Sequence, residues 1–163
     1  NAGGGIFVDG LATITNCIMN YNYGKLGGGG VSVGAGNSLN LENCTLYRNG
    51  SHNLFSKEYS VSAAGDIDII NCIISRGELV DRVNNKFYAM NSTYSLIREI
   101  TNSAATGNLV GNPLFIDPEN SNFKLEASSP AINAGHPGNQ FKDSNGSRND
   151  MGAYGGPYGD SWD

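Results

Sequence analysis

Short runs of alternating apolar and polar residues, broken by Gly and Asn, occupy the first two thirds of the chain. Val31 and Val33, Leu39 and Leu41, Cys44 and Leu46 form one series; Val61 and Ala63, Ile67 and Ile69, Cys72 and Ile74 form another. Period two places every second side chain on one face, so each run predicts a strand with that face inward. The phase slips once per series. Leu41 and Cys44 are three apart although both belong to the inward set, and Asn43 lies between them. One residue in the left-handed or bridge region accounts for the slip, and Asn tolerates that backbone better than most residues.

The slip recurs. Asn-Cys stands at Asn16-Cys17, Asn43-Cys44 and Asn71-Cys72, at spacings of 27 and 28 residues. The runs Gly3-Gly4-Gly5-Ile6 and Gly28-Gly29-Gly30-Val31 precede the first two, 25 residues apart. An offset of 28 lays Val31 on Tyr59, Val33 on Val61, Ala35 on Ala63, Leu39 on Ile67, Leu41 on Ile69 and Leu46 on Ile74. Repeats of this length, made of short strands and tight corners, stack at the roughly 4.8 Å strand spacing into a parallel β-helix. The Leu-x-x-Leu-x-Leu frame of a leucine-rich repeat is absent, and so are hairpin signals. Residues 1–97 are therefore expected to form about three clear coils. A fourth, degenerate coil follows at Asn91–Ile97, with Tyr94 near the Cys column.

Stacking turns Asn16, Asn43 and Asn71 into a ladder in which each amide donates to the next, and this satisfies groups whose burial unpaired would cost about 1–3 kcal/mol each. Cys17, Cys44 and Cys72 run beside it. In-register neighbours sit about 4.8 Å apart, wider than the roughly 3.5–4.5 Å between Cβ atoms that a disulfide needs, which makes the three buried, reduced and structural. A line of thiolates also cannot surround an ion tetrahedrally.

Beyond Gly77 the repeat loosens, and all five prolines lie between residues 113 and 157. Residues 98–163 are expected to cap the coils, since bare strand edges invite aggregation. Leu114, Phe115, Phe123, Leu125, Ile132 and Met151 would supply its apolar contacts. Three segments carry a family likeness. They are Pro113-Leu114-Phe115-Ile116-Asp117, Ser129-Pro130-Ala131-Ile132-Asn133-Ala134-Gly135, and Asp143-Ser144-Asn145-Gly146-Ser147-Arg148-Asn149-Asp150-Met151-Gly152-Ala153-Tyr154-Gly155-Gly156. Together they resemble the closing motif of bacterial right-handed β-helix proteins of the surface and secreted kind, in the pectin-lyase-like superfamily. The resemblance implies an all-β fold, a right-handed parallel β-helix solenoid with a loop-rich C-terminal cap, and an extracellular or cell-surface location in a bacterium. It leaves activity open, because that superfamily holds polysaccharide lyases, hydrolases and epimerases as well as adhesins, and fold does not give function.

Composition narrows the partners. The chain has 163 residues, 39% of them hydrophobic and 15% charged, with 23 Gly and a net charge of −5. Low charge and this much apolar content exclude disorder driven by charge. The ten basic residues are scattered, whereas a nucleic-acid phosphate backbone requires them clustered. No run reaches the roughly 18 apolar residues that span a bilayer. The opening Gly run reads as the middle of a repeat, so further coils or a neighbouring chain are expected to cover that end.

Candidate chemistry is sparse. Superfamily lyases pair Ca²⁺, held by Asp/Glu, with a Lys or Arg base on one solenoid face. Here the outward first-strand positions Phe7, Ser32 and Ser60 include no acid, and Asp9, Lys25, Lys57 and Glu58 only flank that face. Lys57 and Glu58 (or Lys25) could act as base and ligand, against the plainer reading of solvated turn charges. Asp66 and Asp68 flank Ile67 and point outward, but no matching column exists. His52 and His136 read as surface residues. Asp143, Asn145, Ser147 and Asp150 place oxygen ligands around a Gly as Ca²⁺ loops do, yet Tyr154 stands where an EF-hand has its bidentate Glu. A structural Ca²⁺ and a plain Asx turn both fit. Tyr21, Tyr23, Tyr47, Phe55, Tyr59, Tyr88, Tyr154, Tyr158 and Trp162 offer rings for stacking on sugars. Four sequons are present, starting at Asn43, Asn49, Asn91 and Asn145.

The leading functional expectation is a non-catalytic module that forms a rigid surface or contacts a polysaccharide. Two alternatives stand beside it: the C-terminal part of a polysaccharide lyase or epimerase with its catalytic coils upstream, and a structural subunit of a surface assembly or filament.

Overall fold

A computed structural model of the chain describes residues 4–24, 28–51, 59–75, 78–81, 91–97 and 106–162. The alternating runs are strands. The first repeat supplies β1 (Ile6–Val8), β2 (Leu11–Thr15), β3 (Ile18–Asn20) and the two-residue β4 (Tyr23–Gly24). The second supplies β5 (Val31–Val33), β6 (Ser38–Glu42), β7 (Thr45–Tyr47) and β8 (Gly50–Ser51). The third gives β9 (Tyr59–Ala63), β10 (Asp66–Ile70) and β11 (Ile73–Ser75), followed by β12 (Glu78–Asp81), β13 (Asn91–Thr93) and β14 (Leu96–Ile97). A hairpin, β15 (Phe115–Asp117) and β16 (Asn122–Leu125), completes the set. The fold is all-β, and the described residues contain short 3₁₀ turns but no α-helix.

Like strands of successive repeats pair in parallel. Three four-stranded sheets result, ordered β1-β5-β9-β12, β2-β6-β10-β13 and β3-β7-β11-β14, with a small β4-β8 pair at a further corner. The second and third sheets keep the offset of 28 between the second and third repeats: Leu39 pairs with Ile67, and Leu46 with Ile74. The first sheet departs from the sequence alignment. Val31 pairs with Val61 and Val33 with Ala63, two residues beyond the expected partners, while Ala35 lies exposed in a turn. The cause is connection length. Residues 34–37 join β5 to β6, whereas only Ala64 and Gly65 join β9 to β10. Because the slip is even, every side chain keeps its face. The outward partner of Ser32 is accordingly Ser62 rather than Ser60, and buried Ser60 lies within 3.5 Å of the Asn49 carbonyl as a hydrogen-bond donor.

Inward residues of all three sheets meet in one core. Val31, Val33, Leu39, Leu41, Cys44, Leu46, Val61, Ile69, Cys72 and Ile74 are 0–2% exposed within it. Asn16, Asn43 and Asn71 turn the chain from the second sheet to the third with φ of 46°, 48° and 55°. At the next level Tyr94 holds that position with φ 48°, so Tyr94 falls in the Asn column and Ser95 in the Cys column. The carbonyls before the Asn43, Asn71 and Tyr94 corners each accept a backbone N–H from the preceding level, Glu42 from Asn16, Ile70 from Asn43 and Thr93 from Asn71, and keep a second lone pair. The residue after the corner supplies a donor: Cys17, Cys44 and Cys72 Sγ lie 3.2–3.3 Å from the carbonyls of Thr15, Glu42 and Ile70, and Ser95 Oγ donates to Thr93 at 3.0 Å. The column is also coupled vertically. Cys44 N–H donates to Cys72 Sγ, and Cys72 N–H to Ser95 Oγ. All three cysteines are free, Cys44 and Cys72 are buried and Cys17 is half-buried; burial holds the Cys72 thiol well above its ordinary pKa.

A second corner repeats the device. Tyr21 and Arg48 adopt φ of 53° and 47°, each just before an Asn. Asn49, fully buried, accepts from the Asn22 backbone and side chain and donates to the Met19 carbonyl at 2.8 Å.

The Asn43 corner separates two costs. Asn43→Gly keeps the left-handed backbone and loses only the amide, whereas Asn43→Ala loses both. Chemical denaturation should show Asn43→Ala destabilised by about 3 kcal/mol or more, with Asn43→Gly milder by about 1 kcal/mol. Equal losses would show that the corner carries no strain.

Candidate functional site

The outward face of the third sheet is covered over β7, β11 and β14 and half-covered at β3. Outward residues Tyr47, Ile73 and Leu96 pack with Phe115, Phe123, Ala131 and Met151 in a second apolar cluster, which Ile18, Tyr94, Leu109, Leu125, Ala134 and Tyr154 border. Leu114 and Ile132 are half-buried. The segment after Gly111 thus lies along the side of the repeats, and residues 131–156 of it form a strap over the Asn column. Its polar groups take the Asn column. His136 N–H donates to Asn71 Oδ1 at 2.7 Å, and Asn43 Nδ2 reaches Asn149 Oδ1 and the Asp150 and Gly152 carbonyls. Asn16 Nδ2 donates to the Ala153 and Gly155 carbonyls at 2.9 and 2.8 Å.

One rung of the expected ladder is present, Asn71 Nδ2 to Asn43 Oδ1 at 3.4 Å, while Asn16 is bound to the strap in place of Asn43. The strap runs from the third repeat back to the first. Glycine permits the close approach: a Cβ on Gly155 would lie 1.7 Å from the Asp150 carbonyl oxygen, and Gly156 has φ of 77°. His136 is half-buried rather than a surface residue. Its ring contacts Tyr94 and Phe141 at centroid distances of 4.7 and 4.5 Å, because the strap presses it onto the column.

A polar brace holds the hairpin. Glu119 accepts from Tyr21 and Tyr47 hydroxyls at 2.8 and 3.1 Å and pairs with Arg48 at 2.6 Å. Arg48 also lies over the Tyr21 and Tyr47 rings. The Tyr21 hydroxyl, with help from Tyr47 and Arg48, holds the Glu119 carboxyl below its ordinary range.

The loop at Asp143 closes on itself. Asp143 Oδ1 accepts from Gly156 N–H at 2.6 Å, and both oxygens lie 3.2 Å from Asp150 N–H. Ser147 Oγ donates to Oδ2 at 3.1 Å, and Ser147 N–H to Asn145 Oδ1 at 2.8 Å, an Asx turn. Asp150 points elsewhere, accepting from Asn133 N–H at 2.6 Å. Both Asp143 oxygens and Asn145 Oδ1 are engaged by N–H and O–H donors. Among the described residues no three His, Cys, Asp or Glu side chains gather closely enough to hold a metal.

Between β16 and the strap opens a cleft of about 230 Å³. Thr45, Phe123, Leu125, Ile132, Met151 and Ala153 line it together with Asp150, Asp160, Lys124 and Tyr154. Lys124 Nζ lies 5.8 Å from the Tyr154 ring centroid. Burial raises the Asp150 carboxyl above its ordinary pKa. Among the described residues Asp150 has only the Asn133 amide on Oδ1, and Asp160 only the Ser144 hydroxyl on Oδ2.

Lys25, Lys57, Glu58 and His52 lie outside the described residues. Asp66 and Asp68 are exposed on β10, where Asp68 accepts from Asn91, and Asp9 accepts from Asn37. The cleft brings together Asp150 and Tyr154 from the earlier candidates. Lys124 and Asp160 are additions, because a hairpin strand and a C-terminal turn meet only in three dimensions. No described helix is long and apolar enough to cross a membrane. Compared with known proteins, the chain matches no family model, no curated protein and no solved structure.

Two outcomes follow from this geometry. Thermal melts with millimolar Ca²⁺ and with chelator should coincide, while Asp143→Ala lowers stability by about 2 kcal/mol in both; a Ca²⁺-dependent rise lost in Asp143→Ala would establish an ion site. Glu119, with its folded pKa lowered, stabilises the protein above its unfolded value near 4.3, and this is lost as pH falls through the folded pKa. The stability difference between wild type and Glu119→Gln, measured by denaturation, should therefore be larger at pH 7 than at pH 3.

Proposed function

We propose that this chain is a non-catalytic unit of a right-handed parallel β-helix, extracellular or on a bacterial cell surface, whose rigid coils carry a carbohydrate-contacting cleft. Three parallel sheets with one repeat order and one shared core favour a solenoid reading, and parallel crossovers are right-handed in about 98% of cases. The edge strands β1, β2 and β3 support further coils, or a neighbouring chain, along that side. Ile6, Ala12, Ile14 and Cys17 are only half-buried there, where later members of their columns are buried.

The cleft carries the functional reading. A sugar ring has apolar C–H faces and a hydroxyl rim. The cleft matches both, with Leu125, Ile132 and the Tyr154 ring beside Asp150, Asp160 and Lys124. Its backbone is held by packed strands and by the Asp143 turn, so little ordering opposes binding. The rim acids and Lys124 supply acceptors and a donor for hydroxyl groups.

Calorimetric titration with a panel of neutral and charged oligosaccharides should find ligands with Kd of about 1 mM or tighter, roughly −4 kcal/mol. Tyr154→Ala should weaken binding at least about tenfold, and Tyr158→Ala, an exposed ring outside the cleft, should leave it unchanged. Absence of binding to the whole panel overturns the carbohydrate reading. Release of new reducing ends or of unsaturated, ultraviolet-absorbing products overturns the non-catalytic one.

A further inference from the structure

We infer that the cleft between β16 and the strap selects a sugar bearing a free ammonium group, a hexosamine unit, over neutral and uronate sugars; this rests on the carbohydrate reading above and names its ligand class. Charge complementarity is the argument. Two carboxylates, half-buried Asp150 and exposed Asp160, line the cleft together with Ile132 and Met151. Among the described residues neither is seen in an ion pair. Each has one oxygen engaged, by the Asn133 amide and the Ser144 hydroxyl, and one carboxylate oxygen left for a ligand. Both engaged partners are neutral donors, so neither carboxylate is neutralised.

Lys124 is the cation of the lining, and it lies toward the Tyr154 ring. Two acids against one base leave the site negative, in a chain whose net charge is also −5. A uronate brought there would set a third carboxylate beside two, and like charges at contact distance in a partly buried site repel. An ammonium group gains two carboxylate acceptors instead, while the sugar's C–H face keeps the Tyr154 ring and the aliphatic floor. Burial of Asp150 raises its pKa, and a bound ammonium would lower it again, so ligand and ionised carboxylate favour one another.

The test uses the β-1,4-linked glucosamine disaccharide, its N-acetylated counterpart and digalacturonate, titrated calorimetrically into the full chain at pH 6 and low salt. The amine disaccharide should bind about fivefold or more tightly than the acetylated one, digalacturonate most weakly, and added salt should erase the preference. Asp160→Asn and Asp150→Asn should each reduce the preference, whereas Asp66→Asn, an exposed acid of β10 outside the cleft, should retain it. Equal binding of amine and acetamide sugars would overturn this inference and leave the carbohydrate reading standing. Equal loss of preference in Asp66→Asn would overturn it too, by showing attraction to net charge rather than to the cleft. Preference for the uronate would overturn it with the opposite sign, and no binding by any of the three, together with a silent wider panel, would remove both readings.

Discussion

The left-handed corner between the second and third sheets is the constraint on which the structure depends. Asn16, Asn43, Asn71 and Tyr94 each reverse the strand phase in one residue. That reversal is why Leu41 and Cys44 both face inward although three positions apart. The carbonyl before the corner takes a ladder N–H and a second donor from the following Cys or Ser, and the same sulfur or oxygen accepts an N–H from the preceding level. Cys suits the place because its sulfur fills apolar space while still offering a weak donor. Ser95 makes the same pair of bonds at the fourth level.

The corner also decides where the outer layer sits. Its Asn amides point away from the core and would be exposed donors and acceptors were it not for the strap. Asn43 alone meets Asn71, Asn149, Asp150 and Gly152. The strap in turn lays Met151 and Ala131 on Tyr47 and Ile73, and leaves the cleft at its margin with β16. Site and scaffold are therefore mechanically one: the backbone that shapes the cleft is the backbone that satisfies the column.

Much of the repeat was legible because its strongest signal, Asn-Cys, is a backbone requirement written in residue type. The strand faces were readable for the same reason, since burial on one side imposes period two. The first-sheet register was not. A four-residue connection in one repeat and a two-residue connection in the next leave the apolar alternation intact, so nothing in the pattern marks the shift from Tyr59 to Val61. Tyr94 is expected near the Cys column and occupies the adjoining Asn column, a left-handed position that a large aromatic rarely takes, where the His136 ring meets it edge-on. The Asn22–Asn49 pair could have been found from its spacing of 27 residues, equal to that of Asn16–Asn43. Lys124 and Asp160 could not, since their proximity depends on how the hairpin and the last turn dock.

The separations spanned by the strap carry a consequence for the order of events during synthesis. Neighbouring levels are joined by bonds between residues about 23–30 apart, so each can form soon after its own repeat emerges. The strap's bonds to Asn71, Asn43 and Asn16 span 65, 106 and 139 residues. Loop closure costs grow slowly with length, but the bonds to Asn43 and Asn16 cannot exist until Asn149 and the residues after it are made. A nascent chain stalled before Asn149 would already hold Phe115, Phe123 and Ala131 for the third sheet, but not the strap partners of Asn43 and Asn16. The corner amides are therefore the last of these groups to find partners, after the sheet beside them has begun to be covered.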